Sequence, residues 1–72
     1  MTRSEFETMK KELEMLVTVK RPEVAEKLRK VRALGNLADN PAYHEARREQ
    51  VALEMRIFEL EQIIDGLEVV EE

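Results

Sequence analysis

Between positions 29 and 48 the chain brings together the side chains best suited to polar chemistry: Asn36, Asp39, Asn40, Tyr43, His44 and Glu45, flanked by Arg29, Lys30, Arg32, Arg47 and Arg48. Five cations cluster there in a chain of net charge −4, a placement that suits a local contact with phosphate. The set holds no nucleophile beside a base, no glycine-rich phosphate loop, no cysteine, and no second histidine at ligand spacing from His44. It therefore reads as a contact surface and not as the active site of an independent enzyme. Each residue also has a plain structural reading. Asn36, Asp39 and Asn40 suit a turn and a helix cap, Tyr43 stands where it would pack, and His44 reads as a solvated residue in the first turn of a helix.

The elements that position this set are set by apolar spacing. Thr2 and Glu5 fit a capping box at a helix start, with Met1 and Phe6 at the staple positions. A stripe then runs Phe6, Met9, Leu13, Leu16 and, after Lys20-Arg21-Pro22, Val24, Leu28 and Val31. Leu16 to Val24 is one residue more than a heptad, and the expectation is that a kink at Pro22 absorbs the slip while proline restarts the helix. The first helix is thus expected over about residues 3–34, broken near 20–22. Gly35 to Asn40 forms the tip, with Asn40 or Asp39 capping a second helix that opens at Pro41. That helix carries Tyr43, Ala46, Gln50, Leu53, Ile57, Leu60, Ile64 and Leu67 on one seam and is expected over about 41–67. Gly66 reads as its stop, leaving 68–72 as a tail or linker that starts in extended form.

Two helices joined by so short a reversal must run antiparallel and bury their stripes against each other. The expected fold is all-α: one antiparallel two-helix coiled-coil hairpin over residues 1–72, kinked near Pro22. Seventy-two residues, 39% of them charged and 4% aromatic, favour such a rod over a globule with an enclosed pocket. The acidic balance argues against free binding to duplex DNA. No apolar run approaches a membrane span and the first residues are too charged for a signal peptide, so a cytoplasmic protein is expected.

The opening MTRSEFETMKKELEMLVTVKRPEV and the stretch GNLADNPAYHEARREQVALEMRIFELE resemble the N-terminal coiled-coil domain of the bacterial Gre transcript-cleavage factors. The Thr-capped start, the KRPE break, the tip and the Tyr-x-x-Ala-Arg segment occur in order with that family's spacing. The resemblance implies a hairpin that enters the secondary channel of RNA polymerase, where two acidic tip residues help hold a metal ion and water for cleavage of backtracked RNA. The implied cofactor is the polymerase's Mg²⁺, with none of the chain's own. By position the acidic pair falls on Asn36 and Asp39, with Asp39 the implied Mg²⁺ contact. Arg32 and Arg47 match basic residues near the RNA end, and Tyr43 matches the tip tyrosine.

This chain has Asn36 where the family has aspartate, and Asp39 where it has glutamate. A neutral carbonyl replaces one carboxylate and the other is a methylene shorter, so weakened or absent cleavage stimulation is expected. The family's C-terminal globular domain has no counterpart in these residues, and Leu67 to Val70 resembles the linker into it. The implied partner is bacterial RNA polymerase, with transient contact to nascent RNA and the chain itself a monomer. The alternative is a structural or oligomerising coiled coil whose seam pairs between chains.

Overall fold

The first helix starts where the capping box puts it. In a computed structural model, which describes the backbone of residues 2–71 and the side chains of residues 2–66, α1 spans Arg3–Met15. Thr2 Oγ1 accepts from the Glu5 amide at 3.1 Å, and Glu5 Oε1 accepts from the Thr2 amide at 3.3 Å. Two otherwise unpaired donors are thereby satisfied. The Met1 half of the expected staple lies outside the described residues.

The chain next winds into a π turn, Leu16–Lys20, and re-enters α-helix as α2, Arg21–Arg32. The Arg21 amide donates to the Leu16 carbonyl, five residues back. A turn closed over five residues holds one more than an α turn, and that extra residue is the slip between Leu16 and Val24. The spacing predicts absorption at a break by Pro22; the structure places it upstream, with Lys20 and Arg21 in right-handed helical conformation (φ −69°, ψ −43° and φ −59°, ψ −46°). The helix is therefore widened and not interrupted. Proline has no amide to donate and its ring crowds the carbonyl four residues back, here Thr18, so a widened turn before it relieves both defects. Thr18 Oγ1 also donates to the Glu14 carbonyl at 2.7 Å, a local bond that helps bend a helix.

Helix α3 runs Pro41–Glu71 and lies antiparallel along α2 and α1. Phe6, Val24 and Leu28 from one side and Ala46, Ile57, Leu60 and Ile64 from the other are buried between them. Met9, Leu13, Leu16, Val31, Tyr43, Gln50 and Leu53 are half-buried along the same line. The expected seam is thus the observed one as far as Ile64; the Leu67 side chain lies outside the described residues. Ion pairs bracket the seam: Arg21 grips Glu54 through two bonds of 2.9 and 2.6 Å, Lys27 meets Glu49 at 2.8 Å, and Arg56 holds Glu12 at 2.8 and 3.1 Å. The product is a rod of 52 × 18 × 14 Å.

Two boundaries differ from expectation. Helix α2 ends at Arg32, and Leu34 and Gly35 already make turn bonds to Val31 and Arg32. At the far end Gly66 does not stop α3, and residues 68–71, expected as part of a tail or linker, continue the helix. Gly66 has no positive φ and nothing within 4 Å of an added Cβ. A lone helical glycine costs about 1 kcal/mol relative to alanine, which by itself is too little to end a helix. Gly66→Ala is accordingly expected to raise stability by about 0.5–1 kcal/mol, read from chemical denaturation. A loss of stability would mean that Gly66 does cap the helix in a left-handed conformation.

The pairs across the seam also set an acid limit. Hydrogen bonding to the Arg56 guanidinium holds the Glu12 carboxyl below its ordinary value of 4.5, and Arg21 does the same to Glu54. Both carboxylates bind protons less readily in the folded chain than in the unfolded one. Their contribution is therefore complete above about pH 4.5 and is lost as pH falls through the depressed values. Circular-dichroism melts between pH 7 and pH 2.5 should show the midpoint falling below that point, and an Arg21→Met, Arg56→Met double variant should show a shallower fall.

Candidate functional site

The tip hangs from the last buried layer of the seam. Val24, Leu28 and Ala46 form a small buried cluster, and Tyr43 packs against it. Tyr43 is thus half-buried packing, as its seam position predicts, and its ring meets the His44 ring edge-on at 5.5 Å between centroids.

Beyond Arg32 the reversal is made by two successive left-handed residues, Gly35 (φ 73°) and Asn36 (φ 51°, ψ 49°). Asparagine is among the few non-glycine residues that adopt this conformation readily. A 3-10 turn comes next over Leu37–Asp39, closed by Asp39 N–H donating to the Asn36 carbonyl at 3.3 Å and Asn40 N–H to the Leu37 carbonyl at 3.2 Å. Asn40, and not Asp39, then caps α3: its Oδ1 accepts from the Ala42 amide at 2.9 Å, with Pro41 at the first helical position where its missing donor does no harm. Asp39 is left exposed with its side chain unspent on capping.

Asn36 and Asp39, matched to the acidic pair by position, are therefore brought together at the two ends of one tight turn. Among the described residues, Asp39 has no ion-pair partner, and no group of three or more His, Asp or Glu side chains stands close enough to hold a metal ion. A cation meeting this tip would find one carboxylate and one amide oxygen. That set fits a supplementary contact to an ion held elsewhere and falls short of the six or more oxygens of a self-sufficient site.

The five cations divide into two kinds. Arg29 is clamped to Glu26 at 2.5 and 2.9 Å, and its guanidinium holds that carboxyl below its ordinary value. Arg47 bonds to the Gln50 side chain. Lys30, Arg32 and Arg48 are exposed and form no ion pair among the described residues. Arg32 closes α2 directly before the reversal, so of the two matched arginines it is the less engaged.

Two features escape the sequence pattern. Leu34 is 74% exposed beside the tip; it sits three residues beyond seam residue Val31, where an unbroken helix would have buried it. His44 is exposed as expected, yet its Nε2 donates to the Ala38 carbonyl at 2.9 Å, a contact six residues back that no helical period signals. Further along α3, Val51, Met55 and Phe58 form an outward apolar stripe, 45%, 67% and 63% exposed.

The rod and its tip have well-defined relatives. A family model described as the N-terminal part of transcription elongation factors, covering GreA and GreB, matches residues 1–69. A protein named transcription elongation factor GreA from Thermoanaerobacter pseudethanolicus is 47% identical over 70 residues, covering 93% of this chain and 45% of the relative. GreA of Nautilia profundicola is 44% identical over 71 residues (99% and 44%), and GreA of Staphylococcus carnosus 42% over 72 residues (100% and 45%). The chain thus spans less than half the length of these relatives. No solved structure matches it.

The left-handed conformation at position 36 yields a direct test. Asn36→Asp should leave the unfolding midpoint nearly unchanged, whereas Asn36→Ala should cost about 1–2 kcal/mol, both measured by chemical denaturation. Equal losses for the two would show that the asparagine amide itself holds the turn.

Proposed function

Since the chain belongs to the N-terminal-domain family of the GreA and GreB transcription elongation factors, we propose that it inserts its tip into the secondary channel of bacterial RNA polymerase. There it modulates cleavage of backtracked RNA. The observation that carries this reading is the tip at the end of a slender rod: a left-handed pair and a 3-10 turn that present Asp39 exposed, following an Arg32 that forms no ion pair among the described residues. A narrow rod can reach a recessed active site that a globule could not enter.

In this reading the chain is an auxiliary factor and the polymerase supplies the active site and its Mg²⁺. Asp39 would offer that ion or its water one carboxylate, while Arg32 and Arg47 lie near the RNA end and draw its phosphates. Asn36 adds an oxygen without charge, so cleavage stimulation is weak or absent and occupation of the channel becomes the dominant effect. The partner is a cytoplasmic enzyme and the chain acts as a monomer; no described helix is long and apolar enough to cross a membrane.

The second reading, association between copies, loses the seam that motivated it, because those side chains are buried within one chain. Among the described residues the outward stripe of Val51, Met55 and Phe58 favours it, and a sedimentation mass that rises with concentration would support it over the first.

The test is the chain at high concentration on stalled, backtracked bacterial elongation complexes, beside its Asn36→Asp variant. The expected result is binding to core polymerase by both chains, little RNA cleavage with Asn36, and cleavage raised on the order of tenfold to a hundredfold with aspartate. Absence of binding by either chain at micromolar concentration would overturn the polymerase reading. Equal, strong cleavage by both would overturn the role given to Asn36.

A further inference from the structure

The peptide unit joining Ala38 to Asp39 is fixed at both of its polar groups. Its N–H donates to the Asn36 carbonyl at 3.3 Å, and its carbonyl oxygen accepts from His44 Nε2 at 2.9 Å. A peptide is planar, so pinning its donor on one side and its acceptor on the other fixes the plane and the position of the Asp39 Cα. The next amide, Asn40 N–H bonded to the Leu37 carbonyl at 3.2 Å, restrains rotation about that Cα and so the direction of its side chain. The second bond comes from outside the turn, from a residue in the first turn of α3.

The His44 ring is well placed to hold it. The His44 amide donates to the Asn40 carbonyl at 3.3 Å, within the first turn of α3, and Asn40 itself is extended (φ −96°, ψ 107°). That single extended residue folds the 3-10 turn back over the helix start, which brings position 38 opposite position 44. The ring is then steadied by the edge of Tyr43, and Tyr43 is anchored on the Val24–Leu28–Ala46 cluster. A line of contacts thus runs from the buried core through Tyr43 and His44 to the peptide that carries Asp39. A carbonyl oxygen can only accept, so Nε2 carries the hydrogen. The bond survives protonation of the ring, because Nε2 carries a hydrogen in that state too.

We propose that His44 is a positioning residue for the tip carboxylate: by clamping the Ala38 carbonyl it locks the Ala38–Asp39 peptide and so aims Asp39. The functional half of this assignment rests on the reading that the tip meets the polymerase active site; the structural half does not. His44 touches neither RNA nor metal in this scheme. Its effect passes through the backbone.

Two measurements test it separately. On the free chain, amide hydrogen exchange at Asp39, monitored by NMR in the wild type, His44→Ala and His44→Gln, reports the pin without any polymerase. His44→Ala should speed exchange at Asp39 by about threefold to tenfold, the worth of one hydrogen bond, while Ala46 in the buried cluster is unchanged. His44→Gln, whose amide can also donate, should recover most of the protection. Unchanged exchange at Asp39 in His44→Ala, or acceleration spread equally to Ala46, would overturn the pin.

On backtracked complexes, in the Asn36→Asp background, His44→Ala should lower the cleavage rate at saturation on the order of tenfold to a hundredfold. The concentration for half-maximal effect should move less than about twofold, and His44→Gln should restore the rate. A change confined to the half-maximal concentration, or equal losses for both variants, would overturn the positioning role even if the pin is real. If none of these chains binds polymerase, the proposed function fails and the exchange data still decide whether His44 fixes the turn.

Discussion

Everything at the tip depends on one small contact layer, the closure of Val24 and Leu28 on Ala46. Ala46, 1% exposed, lets the two helices approach closely, and its neighbour three residues earlier, Tyr43, covers the end of the layer. Removing a leucine side chain at such a site costs about 2–5 kcal/mol, comparable with the whole stability expected of a two-helix rod. The other buried side chains of the described residues, Phe6, Ile57, Leu60 and Ile64, lie farther down the rod and do not support the tip directly. The geometry of the tip is therefore inherited from a few apolar side chains that lie more than ten residues before Asp39 on one helix and only two turns beyond it on the other.

That layer is in register only because the first helix gains a residue. Without the π turn at Leu16–Lys20, the eight-residue step from Leu16 to Val24 would rotate either α1 or α2 off the seam. The same turn accommodates Pro22, which could not sit in a regular helix without a clash and an orphaned carbonyl. Arg21 and Glu54, paired just after the turn, fix the register from the outside. Exposed pairs of this kind contribute little individually; their part here is to disfavour shifted pairings.

The elements of the fold were legible because each rests on a local or periodic signal: the Thr2–Glu5 box, the 3-4 spacing of both stripes, and the Gly-Asn-Pro punctuation of the reversal. The position of the slip was not, since spacing shows that a residue must be absorbed but leaves open whether a kink or a widened turn absorbs it. Gly66 misled for a related reason. A glycine marks a helix end only when the chain there turns left-handed, and that depends on the neighbouring residues more than on the glycine. At the site, Asn36 and Asp39 stand at the two ends of one tight turn, as their spacing of three in a Gly-Asn-rich reversal allows, but the bond from His44 to Ala38 was invisible because it joins residues through an extended Asn40 and obeys no period.

Position 36 separates the demands of folding from those of chemistry. Its left-handed backbone excludes most side chains but is open to asparagine and aspartate alike. The fold is thus indifferent to the one atom that distinguishes them, while a divalent cation is not: an oxygen with a full charge is a far better ligand than a neutral amide. Asp39 differs in that its backbone amide donates into the turn, to the Asn36 carbonyl, while its side chain stays exposed. The tip backbone thus admits either residue at position 36, and under the proposed function the choice between them would bear on the metal contact and not on the shape of the rod.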